Sequence, residues 1–160
     1  MRTLVVTATI AWALCTCKAN DWTGKNSDAF TAHCNGQGTL EVRVGQNSGT
    51  ERQVVRRTFL VDPRAKRVDL VTENGTIQPL CAPGGQCTTL FQGSLMHSTY
   101  LASWKVYGDQ ASKMADFIYD RKLNTAIVTY ALDSPKGSSI TELRLACVTD
   151  ALPNAPIATS

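Results

Sequence analysis

After residue 20 the apolar residues recur with a period of two, and that repeat restricts the fold of this chain more than any other feature. Leu40, Val42 and Val44 alternate with Glu41 and Arg43, and Leu143, Leu145 and Cys147 alternate with Glu142, Arg144 and Ala146. Ile127, Thr129 and Ala131 alternate in the same way with Val128, Tyr130 and Leu132. Successive side chains of a strand point to opposite faces, so each run reads as a strand. Val54 to Val61, Arg67 to Thr72, Thr76 to Leu80, Thr88 to Phe91, Tyr100 to Tyr107 and Met114 to Tyr119 are strand-like in composition and flanked by breakers. Asn74-Gly75 is a hairpin signal between two of them. The best helical segment, Asp109 to Asp116, is too short to change the class. The expected fold is all-β, an antiparallel meander forming a small barrel or sandwich of about seven to nine strands.

The beginning of the chain reads differently. Met1 and Arg2 precede an apolar stretch from Thr3 to Cys17 without an acidic residue, followed by the small-x-small triplet Cys17, Lys18, Ala19. At about fifteen residues the stretch is too short to span a bilayer and matches the apolar region of a signal peptide. Residues 1–19 are therefore expected to be a leader cleaved after Ala19, residues 20–149 a single β domain, and residues 150–160, with Pro153 and Pro156, a flexible tail. A lipid anchor is not expected, because Cys15 follows Leu14 and Cys17 follows Thr16 where such a signal wants a small residue. The expected location is periplasmic or secreted, with no transmembrane segment.

Removing the leader leaves Cys34, Cys81, Cys87 and Cys147. An even set of cysteines in an exported chain implies disulfides, and four of them permit three connectivities. Cys81 and Cys87 bracket the turn-rich Ala82-Pro83-Gly84-Gly85-Gln86, which can bring its own ends together, and Cys34 is then left to pair with Cys147. That pairing sets the first and last strands side by side and leaves the sheet without free edges. Zinc is the competing reading, since His33 adjoins Cys34, but the gap between Cys81 and Cys87 exceeds the usual ligand spacing.

Charge argues against a nucleic-acid partner. The whole chain has 16 Lys and Arg against 13 Asp and Glu, and two of the cations, Arg2 and Lys18, lie in the leader. The remaining near-neutral chain lacks the cationic surplus that phosphate binding demands. Six cations do cluster between Glu51 and Asp69, namely Arg52, Arg56, Arg57, Arg64, Lys66 and Arg67. On paired strands Arg52, Arg56 and Arg57 could form a patch for an anionic partner, and Trp104 and Tyr107 offer a second binding surface.

Motifs for metal proteolysis, acyl transfer or phosphate binding are absent, and no cofactor or metal site is expected. Gly36-Gln37-Gly38 lacks the third glycine of a dinucleotide loop and reads as a turn. His97, near Ser94, Ser98 and Tyr100, is the best lone general base, with Asp109, Asp116 and Asp120 as carboxylates that a fold could bring to it. Phe59-Leu60-Val61-Asp62 and Phe117-Ile118-Tyr119-Asp120 are echoes of one strand-and-acidic-turn unit.

The layout of an early Cys, hairpins with acidic turns and a terminal Cys resembles small exported bacterial β-rich proteins of unassigned function. Cys34-Asn35-Gly36-Gln37-Gly38 before a strand, and the Trp104 to Gly108-Asp109 segment, resemble corresponding parts of the periplasmic inhibitors of C-type lysozyme. The Ser-Gly loop of that family has no match, so the resemblance carries no inhibitory residue here. The functional expectation is an exported, disulfide-stabilised binding or inhibitory domain without enzymatic activity, its partner an unknown macromolecule or small ligand in the envelope or outside the cell. The alternative is a secreted hydrolase whose site is assembled around His97.

Intact mass spectrometry of the protein recovered after expression with its leader tests the cleavage and the disulfides together. The expected result is loss of residues 1–19 and a gain on reduction of two hydrogens per disulfide. Retention of the leader with no mass gain would remove the basis for export.

Overall fold

A computed structural model describes residues 22–23 and 28–151. The expected leader lies outside these residues, as does the tail from residue 152 onward. Nine antiparallel strands make one sheet curled into a half-barrel: β1 (Phe30–Val44), β2 (Asn47–Asp62), β3 (Arg67–Val71), β4 (Ile77–Pro79), β5 (Gln86–Gln92), β6 (Leu95–Val106), β7 (Asp109–Asp120), β8 (Thr125–Ser134) and β9 (Gly137–Ala151). Their order across the sheet is β4-β3-β2-β1-β9-β8-β7-β6-β5. No helix occurs among the described residues, and none is long and apolar enough to cross a membrane.

The all-β expectation therefore holds, with four differences. Asp109 to Asp116 is the first part of β7, because its alternation continues into the buried Ala115, Phe117 and Tyr119. Strand β1 starts at Phe30, well before the alternation at Leu40, and so includes Cys34. Asp150 and Ala151 extend β9 beyond the expected end of the domain, each paired with β1. Most consequentially, pairing β1 with β9 does not remove the edges. It places those two strands at the centre, and the edges fall to β4 and β5. The break thus lies between consecutive strands, bridged by the short connector that the Cys81–Cys87 disulfide clips. Leu80 of that connector is buried, and its amide donates to the Val68 carbonyl at 2.9 Å.

Both disulfides follow the expected connectivity, Cys34–Cys147 and Cys81–Cys87. The first joins residues directly opposite in the β1–β9 ladder and 113 apart in sequence. A link that closes so long a loop stabilises by roughly 4–5 kcal/mol in the chain-entropy model.

The core lines the concave face at the end where the acidic turns lie. By register, the inward positions are Phe30, Ala32 and Cys34 on β1, Phe59 and Val61 on β2, Met96, Ser98 and Tyr100 on β6, Phe117 and Tyr119 on β7, and Leu143, Leu145 and Cys147 on β9. Phe59 and Phe117, equivalent residues of the two sequence echoes, meet with ring centroids 5.0 Å apart. Each echo ends in the same turn. Asp62 Oδ1 accepts from the Ala65 amide, and Asp120 Oδ1 accepts from the Lys122 and Leu123 amides. Each turn closes through a residue in the left-handed region, Lys66 and Asn124, and each Asp pairs with the residue five positions on. The acidic turn residues thus cap their own backbone. Burial pushes the Asp120 carboxyl up, but the Leu123 and Lys122 amides, the Ser94 hydroxyl and the Lys122 charge outweigh it and hold the group below its ordinary value.

Gly36 and Gly38 form no turn. Both are mid-strand, on the concave face of β1. A Cβ on Gly36 would collide with the Arg144 carbonyl oxygen of β9, and one on Gly38 would meet Leu143 Cδ2 at 2.7 Å and Val55 Cγ2 at 2.8 Å. The two glycines let β1 bend sharply while its neighbours close over it. Gly36→Ala is expected to lower stability by about 1–3 kcal/mol, read as the urea midpoint. Gly49→Ala, where nothing lies within 4 Å of the added carbon, should leave it nearly unchanged.

Candidate functional site

The short strands leave part of the sheet unpaired on one side. Strand β3 pairs only with Thr58 to Asp62 of β2, so among the described residues the stretch of β2 from Asn47 to Arg57 has no strand on the side away from β1. The β3–β4 hairpin turns back beside this edge. Its turn is fixed by the Gly75 amide donating to the Thr72 carbonyl at 2.9 Å, by the Thr72 hydroxyl bonding Asn74 and the Thr76 carbonyl, and by Gly75 in the left-handed region. The expected Asn74-Gly75 hairpin is thus present.

Between the turn and the edge lies a cavity of about 1010 Å³, lined by His33, Arg56, Arg57, Thr72, Glu73, Asn74 and Gln78 among others. Register places Arg57 on the concave face with Val55 and Phe59, and Arg56 on the convex face. The cavity touches both arginines and extends from the β3–β4 turn over β1 to His33 and Asn35.

The cationic segment divides into two kinds. Arg64 Nη2 meets Asp28 Oδ1 at 2.5 Å, and Arg67 Nε meets Asp69 Oδ2 at 2.8 Å. The neighbouring Asp69 carboxylate keeps the Arg67 guanidinium protonated beyond its already high ordinary value, against a smaller opposing effect of burial. Arg52, Arg56 and Arg57 make no ion pair among the described residues, and Arg57 bonds the Arg56 carbonyl at 2.8 Å. Arg57 also acts across the concave face on Tyr130. Burial pushes the Tyr130 phenol above its usual value, and the Arg57 charge opposes that rise. Tyr130 had no distinguishing signal in the sequence beyond its parity in an alternating strand.

The other residues singled out from sequence lie elsewhere. Trp104 is on the concave side of β6, 41% exposed, and Tyr107 is 95% exposed. Tyr107 is not a strand residue: with Gly108 it makes the two-residue β6–β7 turn, both in the left-handed region. Strands β1, β9, β8 and β7 lie between these aromatics and the arginines of β2, so the structure does not join them into one surface along the sheet.

His33 is occupied on the convex face, its Nδ1 3.1 Å from Thr58 Oγ1 and its Nε2 3.4 Å from Asp150 Oδ2. With Cys34 in a disulfide, the zinc reading is overturned. No group of His, Cys, Asp and Glu suited to a metal occurs among the described residues.

His97 does meet a carboxylate. Its Nε2 lies 2.6 Å from Asp116 Oδ1 on the convex face, and the Thr99 hydroxyl donates to the same oxygen at 2.7 Å. Asp109 and Asp120 stand at opposite ends of β7. A hydrolytic triad sets the hydroxyl on one ring nitrogen and the carboxylate on the other. Here Thr99 approaches the same Nε2, at 3.2 Å, and its proton is directed to Asp116. Ser98 points into the core and bonds Thr89 at 2.7 Å, and Tyr100 is buried. The cluster is a polar cross-strand ladder on the sheet's outer face.

The chain matches no family model, no curated protein and no solved structure.

The Arg57–Tyr130 relation is testable by NMR titration of ring-labelled tyrosine. The Tyr130 phenol is expected to ionise above the usual tyrosine range, and Arg57→Gln should move it higher still, since the variant loses the charge that favours phenolate. An unchanged titration would place Arg57 away from Tyr130.

Proposed function

We propose that this chain is an exported, disulfide-stabilised β domain that binds an anionic partner without transforming it, and that the binding surface is the cavity around the edge of β2. The observation that carries the reading is the cavity of about 1010 Å³ lined by Arg56 and Arg57, neither of them ion-paired among the described residues, with Glu73 the one carboxylate in its lining. Two adjacent cations without an ion pair among the described residues leave charge for a ligand, and a concave wall raises the local potential. Two disulfides suit an oxidising compartment. At His97 the Thr99 hydroxyl and the Asp116 carboxylate share one ring nitrogen, which is not the arrangement that activates a hydroxyl for hydrolysis among the described residues.

Dextran sulfate, a polyanion without peptide groups, tests the site directly. It is expected to raise the melting temperature of the protein at low ionic strength and to do so far less for Arg56→Gln/Arg57→Gln, with the difference shrinking as salt rises. An equal rise in both proteins would reject the cavity as the site.

A further inference from the structure

The convex side of the bare β2 edge carries Arg52, Val54 and Arg56, a row of alternating residues in which Val54 is 83% exposed. Their cross-strand neighbours on β1 are Thr39, Gln37 and Asn35, all uncharged. One strand further, the sole carboxylate of the row, Glu142, accepts from Arg144 Nε at 2.7 Å. Glu41, opposite Thr50, is the carboxylate of β1 on this face, diagonal to Arg52, and Glu73 lines the cavity beside Arg56, yet neither arginine of the edge is ion-paired among the described residues, and on the side away from β1 no described strand pairs with it. Backbone amides and carbonyls along this flank point outward at strand spacing, a pattern that only another extended peptide chain completes.

We propose that the edge of β2 from Asn47 to Arg57 receives an acidic peptide as an added strand, with an acidic residue opposite Arg56, an apolar residue opposite Val54 and an acidic residue opposite Arg52. The proposal rests on the reading of the adjoining cavity as the binding surface and names its occupant. Directly opposed side chains in a ladder sit about 5 Å apart, so positions i, i+2 and i+4 of the incoming strand face these three residues together. The cavity at the Arg56–Arg57 end accommodates the side chains that follow, where the β3–β4 hairpin leaves the edge. A second copy of this edge is disfavoured as occupant, since it would bring arginine rows against each other. The same charges that repel neutral or basic edges select an acidic one.

The test uses the purified protein and a fluorescent peptide of sequence Thr-Glu-Thr-Val-Thr-Glu-Thr, read by anisotropy. Saturable, salt-sensitive binding is expected, weakened about tenfold or more by Glu to Lys changes in the peptide or by Arg52→Gln/Arg56→Gln in the protein. The decisive probes are two peptides N-methylated on the two alternating sets of amides, because a strand pairs through only one set. One set should weaken binding about tenfold or more and the other about twofold or less. These probes leave the protein unaltered, so they do not depend on the folding of a variant. Equal binding by both methylated peptides would overturn strand addition, and so would failure of the peptide alongside Arg56- and Arg57-dependent binding of dextran sulfate. In both cases the anionic-site reading survives. Failure of both ligands overturns both readings. Concentration-dependent self-association in sedimentation that the peptide does not reverse would assign the edge to a second copy and overturn the peptide.

Discussion

The pairing of β1 with β9, locked by Cys34–Cys147, is the interaction on which the rest of the sheet depends. It joins two meanders, β1 to β4 and β5 to β9, that would otherwise be separate small sheets, each with one bare apolar face. Once joined, their concave faces share one core, and Phe59 from the first meander rests on Phe117 from the second. The disulfide lies within this core, with Cys34 and Cys147 both buried. The staple and the hydrophobic contacts therefore act on the same boundary.

Bending one sheet around its own core requires local relief, which Gly36 and Gly38 provide on β1, where an added carbon would meet its neighbours. Curvature at that point lets Leu143 and Val55 close over β1. The cost is borne at the other end of the strands. Because β3, β4 and β5 are short, the upper part of the half-barrel has no outer members, and β2 is left bare over the residues that carry Arg52, Arg56 and Arg57. The packed and the available parts of the molecule are consequences of the same difference in strand length.

Much of this was legible in the sequence because strand periodicity and turn chemistry are local. The alternation at Leu143 to Cys147, the Asn74-Gly75 turn, the acidic turns at Asp62 and Asp120 and the spacing of Cys81 and Cys87 all depend on neighbours within a few residues. Misreadings came where distant chain decides. Gly36 and Gly38 look like a turn until Arg144 and Leu143 are known to lie beside them. Tyr107, by contrast, is a local misreading: the strand-like run reaches it, while the adjoining Gly108, left-handed like Tyr107, marks the turn. The bare edge of β2 is a property of where β3 stops pairing, which no local pattern records. One signal was available and informative: Arg52-x-Val54-x-Arg56 alternates charge, apolar, charge on a single strand face. Arg57 and Tyr130 could be associated only through the curl of the sheet.

The central position of β1 and β9 also governs the order of assembly. Strand β1 leaves the ribosome long before β9, its partner 113 residues away at the disulfide, so one flank of β1 stays unpaired until nearly the whole described chain has been made. Contacts of such long range slow folding, since loop closure must precede the stabilising pairing. A chain that cannot complete its sheet early remains threadable for longer. On the export proposed above, that delay is an advantage, and oxidation of Cys34 and Cys147 after passage would make the completed sheet difficult to reverse.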